Sequence, residues 1–286
     1  NGLAMSNSHA VSYGVIGYWT AYCKAHFPIP FYTSWLFYAQ EKQDPKEEIR
    51  ELVNDAIFFD INIYPPDFKI VEPRFHSDGN DIYFGITNIK GIGVSQLVGL
   101  ECGLNEVTKK INKRPEEWKW LDFLLLFSDY CSSKCIEGLI QSGGCRQFKL
   151  PRTKMLKEYE LWSELTEKEK VFIKNLYISS MDNYEFYELL YKCSPKKKTK
   201  KDPVEYIGGG TSNAKRSDLV RSMAQILEKP PTPLIDSPDW ISYIEEELLG
   251  VAISCSKMDG KDSYQANCTC KEFINGRQGY ISLAVE

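Results

Sequence analysis

Two glycine-bearing stretches of this chain have the spacing to bind phosphate. In Lys90-Gly91-Ile92-Gly93-Val94-Ser95, two glycines set two apart predict a tight hairpin that leads into a helix. Such a hairpin presents successive backbone N–H groups at a helix N-terminus, where the dipole favours an anion. A less regular second candidate spans residues 136–146, where a helix ends in Ser142-Gly143-Gly144 and Arg146 follows; two such hairpins could grip two phosphates. Near the start of the chain, His9, Tyr13, Thr20 and Lys24 fall within one narrow arc at about 100° per residue. An imidazole, a phenol, a hydroxyl and an ammonium therefore emerge from one helix face. Each has a plainer reading as well: tight turns are common, His9 and Tyr13 can cap and pack a helix start, and Lys24 suits the last turn of a helix.

Other chemistries find less support. No Asp-x-Asp pair is present to clamp metal ions, and the acidic residues around Asp44 read as capping and solvated charge. Cys131 with Cys135 and Cys268 with Cys270 lack the spacing of a structural zinc hook, and the three histidines lie far from them.

The elements that must position these groups are mostly helical. Residues 8–27 predict a helix whose Val11, Val15, Trp19 and Tyr22 form a core face, ended by Pro28 and Pro30. A short helix over 32–40 follows. A third has Asp44 as its cap, Pro45 at the first position, and Ile49, Leu52, Val53, Ala56 and Ile57 as its buried stripe. Residues 61–68 read as extended, and 69–76 and 81–86 as strands joined by a turn over 76–80. Beyond Pro151, Thr166-Glu167-Lys168-Glu169 predicts a capping box for a helix running to about Lys192. Residues 194–210, with Lys196-Lys197-Lys198-Thr199-Lys200-Lys201 and Gly208-Gly209-Gly210, have linker composition. Helices are predicted over 216–228 and, capped by Ser237, over 238–249; alternating strands are predicted over 265–273 and 278–285. The fold class is α+β, mainly helical.

Composition is permissive. The chain has 286 residues, 43% of them apolar, enough for two or three compact units. No run approaches the roughly 18 apolar residues of a membrane span, and Asn1-Gly2-Leu3-Ala4-Met5 is unlike a signal peptide, so a cytoplasmic protein without a membrane partner is expected. Nine cysteines then read as reduced thiols. A net charge of −4 means that any DNA contact must come from local patches.

Several motifs in order carry a resemblance. Asn7-Ser8-His9-Ala10-Val11-Ser12-Tyr13 and Tyr18-Trp19-Thr20-Ala21-Tyr22-Cys23-Lys24-Ala25-His26-Phe27-Pro28 resemble the fingers motif of the C-family bacterial replicative polymerases, the DNA polymerase III alpha subunits. Tyr64-Pro65-Pro66-Asp67 is similar to that family's extended segment. The run from Tyr83 to Gly93 resembles its entry into a first helix-hairpin-helix, and the run from Ile136 to Gly144 its second hairpin. Glu246-Glu247-Leu248-Leu249-Gly250 resembles the helix end before its OB domain. Residues 151–240 match in helical character alone. The family usually has Lys at the position of Asn7 and Gly-His-Pro at Cys255-Ser256-Lys257.

The resemblance implies fingers over residues 1–70, a tandem helix-hairpin-helix region over 71–155, a helical connector over 156–252 with a linker near 194–215, and the start of an OB-like domain over 253–286. By the same resemblance Ser8 and His9 would donate to the phosphates of an incoming nucleotide, Tyr13 would lie against its base or sugar, and Lys24 would stand beside them. Lys90, Gly91, Ile92, Gly93, Ser95, Ser142, Gly143 and Arg146 would hold template-primer duplex without reading its sequence. The catalytic carboxylates and their Mg2+ would belong to a palm absent from this chain, leaving it an inactive nucleotidyltransferase fragment with the palm-bearing remainder, dNTP and duplex DNA as partners. A sliding clamp is a further partner by analogy, although Ala224-Gln225-Ile226-Leu227 is a poor clamp peptide. The alternative is a non-catalytic helix-hairpin-helix DNA-binding or repair scaffold, which leaves His9 and Tyr13 without a purpose.

Overall fold

The computed structural model describes residues 7–180, 184–194, 210–212 and 214–255. The lysine run, the predicted strands over 265–285, the cysteines at 268 and 270 and nearly all of the OB-like expectation lie outside the described residues.

Three helices open the chain: α1 (Asn7–His26), α2 (Pro28–Ala39) and α3 (Pro45–Phe58). Pro28 and Pro30 do not simply stop α1; they sit in the first turn of α2, where the missing proline N–H costs nothing. Asp44 caps α3 by accepting from the Glu47 N–H at 3.3 Å, and Ile49, Leu52, Val53 and Ala56 are buried as the period requires. Ile57 is half exposed instead, at the edge of that stripe.

The expected core face of α1 is a larger correction. Val11, Val15, Trp19 and Tyr22 are between 42% and 65% exposed. Periodicity identified an apolar face, but among the described residues nothing covers it. The helix is held near its C-terminal end, where the Lys24 ammonium and the buried Tyr32 hydroxyl of α2 both donate to Asp55 of α3, at 2.5 and 2.7 Å. Burial works to raise the Asp55 carboxyl, but those two bonds outweigh it and hold it below its ordinary value.

A three-stranded sheet follows, formed by β1 (Asn62–Tyr64), β2 (His76–Asp78) and β3 (Asp81–Tyr83) in the order β1-β3-β2. β3 pairs parallel with β1, Ile63 opposite Ile82, and antiparallel with β2, Ser77 opposite Ile82. The strand expected over 69–76 is thus displaced: its last residue and two of the expected turn residues make β2. Pro73 has no N–H for a ladder, and the carbonyls of Glu72 and Pro73 instead accept from Ile86 and Thr87. Gly85 lies so close to the Arg74 and Pro73 backbone that any Cβ would collide with it.

Then come α4 (Ser95–Ile111), α5 (Trp120–Asp122), continued by a wide turn over Phe123–Phe127, and α6 (Ser133–Gln141). Phe68 is fully buried here, its ring within 6.0 Å of those of Trp118, Phe123, Phe127 and Phe148. The hairpin before α4 is preceded by a single three-residue turn, Ile86–Asn88, and not by the helix that the expected first helix-hairpin-helix calls for.

The described residues beyond these are mostly helical: α7 (Arg152–Ser163), α8 (Glu167–Ser180), α9 (Phe186–Cys193), α10 (Ala214–Glu228) and α11 (Pro238–Leu249). The helix expected to run to Lys192 is therefore two. Thr166 and Glu169 form their capping box at α8, and Ser237 caps α11 by accepting from Trp240 N–H. Two buried ion pairs bind the bundle. Arg216 meets Glu169 in a two-pronged pair at 2.7 and 2.8 Å, and Arg152 bonds Glu245 at 2.8 Å and the Gln141 carbonyl at 2.8 Å. Asp236 caps α7 from far along the chain, its carboxylate accepting from the N–H groups of Arg152 and Thr153.

Candidate nucleic-acid interface

The hairpin at residues 90–95 is anchored from both sides. The Lys90 N–H donates to the Leu248 carbonyl of α11 at 2.9 Å, and the Lys90 ammonium is paired with Glu247. Ile92 is buried, and with Ile89 it packs into the space that Gly138 of α6 leaves by having no side chain. Ile92 is therefore the root of the hairpin, its side chain packed inward. Gly91 takes φ +82°, a conformation that favours glycine, and a Cβ there would strike the Lys134 ammonium.

What remains outward is a run of backbone. Gly91, Gly93, Val94 and Ser95 are exposed, and among the described residues their N–H groups carry no backbone hydrogen bond. Those of Gly93, Val94 and Ser95 stand at the positive end of α4, a helix of 17 residues. Lys134 arrives from α6 because the Gln96 side chain of α4 accepts from Ser132 N–H at 3.0 Å, which brings the two helix starts together. Lys134 is exposed and has no carboxylate partner among the described residues. Sequence reasoning missed it. The one available signal was a cation in the first turn of a helix, a position the helix dipole disfavours.

The second stretch is arranged differently from the expected grip. The N–H groups of Ser142, Gly143 and Gly144 already donate to the carbonyls of Gly138, Ile140 and Leu139, and all three residues are buried. Ser142 and Gly143 end α6, so carbonyls and not amides are in excess there. The Arg146 guanidinium donates to the Pro65 and Pro66 carbonyls, pairs with Asp67 at 3.2 Å and lies over the Tyr64 and Tyr83 rings. It fastens the Tyr64-Pro65-Pro66-Asp67 segment, while 35% of its side chain stays exposed.

On α1, Ser8 lies in the first turn. The His9 and Tyr13 rings meet edge to face with centroids 4.4 Å apart, and Tyr13 is 60% exposed. Lys24 is not brought to them. It lies 11 residues beyond Tyr13, about 16 Å along a helix axis, and its ammonium is turned onto Asp55 with the Phe59 ring 4.9 Å away. Thr20 spends its hydroxyl on the Ile16 carbonyl. The arc is real in angle but split along the axis: His9 and Tyr13 share one location, Thr20 and Lys24 another. The Cys131 and Cys135 thiols interact with each other, and among the described residues no three His, Cys, Asp or Glu side chains group to hold a metal ion. No helix among the described residues is long and apolar enough to cross a membrane.

No family model matches the chain. Curated relatives do. The chain is 29% identical over 258 residues to the DNA polymerase III subunit alpha of Aquifex aeolicus (strain VF5), an alignment covering 87% of this chain and 19% of that protein. It is 32% identical over 144 residues to the same subunit of Deinococcus radiodurans, covering 50% of this chain and 10% of that one. Over 148 residues it is 30% identical to that of Mycobacterium tuberculosis, covering 49% and 11%. The chain thus spans about a tenth to a fifth of the length of these relatives.

Proposed function

We propose, on the premise that this chain is related to a segment of the bacterial DNA polymerase III alpha subunit, that it grips template-primer duplex by its backbone and offers part of an incoming-nucleotide site. The observation that carries the reading is the loop at Gly91–Ser95, where the N–H groups of Gly91, Gly93, Val94 and Ser95, without backbone partners among the described residues, stand by the start of α4 and the Lys134 ammonium. Amides and a lysine fit one phosphate of either strand and read no base, which is what a replicating enzyme needs from the duplex behind its active site.

His9 and Tyr13, with Ser8 one residue earlier, are the nucleotide side of the proposal. An exposed imidazole can donate to a triphosphate, and the adjoining phenol ring can rest on a base or sugar. Lys90 joins the duplex site once a phosphate competes with Glu247 for its ammonium. Arg146 acts by holding the segment from Tyr64 to Asp67, with its exposed portion free for a second phosphate. The carboxylates and Mg2+ for nucleotidyl transfer would come from a palm-bearing part outside this sequence, and a sliding clamp would be a further partner of that assembly. Such ions activate the primer hydroxyl and neutralise the triphosphate; the residues here bind and orient.

Fluorescence anisotropy with a primer-template duplex and with single strands, over a salt series, tests the duplex half. The chain should prefer duplex, with log affinity falling steeply against log salt. Gly91→Ala with Gly93→Ala, or Lys134→Ala alone, should reduce that slope by about one phosphate's worth, roughly 0.9. Absent binding, or an unchanged slope in both variants, would remove the hairpin from the interface.

A further inference from the structure

A cavity of about 230 Å3 opens between α5, α7 and the start of α9, well away in sequence from the hairpin. Trp120, Tyr177, Tyr184 and Phe186 line it, together with two carboxylates, Glu158 and Glu185, and one cationic side chain, Lys119. Glu158 is 3% exposed. One of its oxygens accepts from the Trp120 indole N–H. The other accepts no hydrogen bond from any described residue; the Lys154 ammonium stands 3.8 Å from it and is closer, at 3.1 Å, to Glu185.

A buried carboxylate with an open oxygen in an aromatic chamber is an unfinished arrangement, because buried charges are ordinarily paired and hydrogen-bonded. The rings supply negative π faces, which attract cations. The surroundings are fixed: Tyr177 donates to the buried Asp122 at 2.9 Å, Lys192 holds the Tyr184 hydroxyl at 2.8 Å, and Trp120 stacks on Phe123. A bare metal ion does not fit, since the described carboxylates and thiols nowhere gather in threes. A neutral ring without donors would leave the open oxygen with no hydrogen bond, the Lys154 ammonium at 3.8 Å being too far to give one.

We propose that this cavity binds a guanidinium group, the head of an arginine side chain presented by a partner. A guanidinium is planar and weakly hydrated, so it can lie along the Trp120 or Tyr184 ring while its fork of N–H donors reaches Glu158, with Glu185 at the rim as second acceptor. Such a group brings the donors that the free Glu158 oxygen lacks and displaces Lys154 toward Glu185, its nearer partner. The site makes no use of the phosphate-binding hairpin and stands or falls independently of the polymerase reading.

The test is titration of the full chain with argininamide, followed by the indole N–H resonance of Trp120, which is assigned by its loss in Trp120→Phe. Citrullinamide, of nearly equal shape but neutral, is the control. The expected result is a saturable shift with argininamide, at least tenfold weaker binding of citrullinamide, and a tenfold or greater loss in Glu158→Gln, which keeps the acceptor for Trp120. Glu185→Gln alters only a rim residue and should weaken argininamide binding severalfold in a protein of unchanged fold. A resonance that argininamide does not shift saturably, equal affinity for the two amides, or argininamide affinity unaffected by both carboxylate substitutions would overturn the assignment.

Discussion

Glu158 should make this protein less stable as the pH rises through neutrality. Burial pushes its carboxyl up to about 7 from an ordinary 4.5, against the opposing pull of Lys154 and of the Trp120 hydrogen bond. Because the folded state holds this proton more tightly than the unfolded one, the contribution is full below pH 4.5 and is lost as pH climbs through about 7. At about 1.4 kcal/mol for each tenfold in proton affinity, the gap amounts to about 3 kcal/mol. Glu158→Gln cannot ionise and retains an oxygen for the indole. The variant should match the wild type near pH 4.5 and exceed it by about 3 kcal/mol at pH 8. With a denaturant slope near 3 kcal/mol/M, that difference is about 1 M in urea midpoint. Urea unfolding of both proteins at pH 5, 6, 7 and 8 reads it directly, since every other titrating group cancels in the comparison. A midpoint difference that stays flat with pH, or one that grows in favour of the wild type, would mean that the buried carboxylate is as well solvated by its neighbours as by water.

Other expectations are simpler to read. Arg152→Met leaves Glu245 buried without its cation and should cost about 3–5 kcal/mol in urea unfolding, whereas replacing both partners with apolar residues should recover much of that loss. Tyr32→Phe removes one of the two donors on Asp55 and should cost about 1 kcal/mol, while Asp55→Ala should also release α1 and speed proteolysis at residues 9–23.

How much of this was readable beforehand depended on how local each determinant is. The boundaries of α3 and α11 followed from Asp44-Pro45 and Ser237-Pro238, because a cap and a proline act within one turn. The Gly91–Gly93 turn was legible for the same reason. The capping of α7 by Asp236, the parallel pairing of β1 with β3 and the approach of Lys134 to Gly91 all join distant stretches, and no spacing rule reveals them. Composition says less at Ser142 and Gly143: a glycine-rich helix end resembles a phosphate loop in composition, yet at the C-terminal end of a helix it is carbonyls that need partners. The angular arc on α1 was correct, but angle alone does not report distance along the axis, which separates Lys24 from His9.

The attachment of α1 makes it a cantilever. Its root is the Asp55 carboxylate with its two donors, and from Lys24 to His9 the helix runs about 22 Å with residues 9–23 all exposed. A tilt of only 10° at that root would carry His9 through roughly 4 Å, more than the length of a hydrogen bond. The aim of His9 and Tyr13 would therefore be set by contact along the exposed apolar stripe of Val11, Val15, Trp19 and Tyr22, and the proposed nucleotide site would gain its accuracy at a distance from the nucleotide itself.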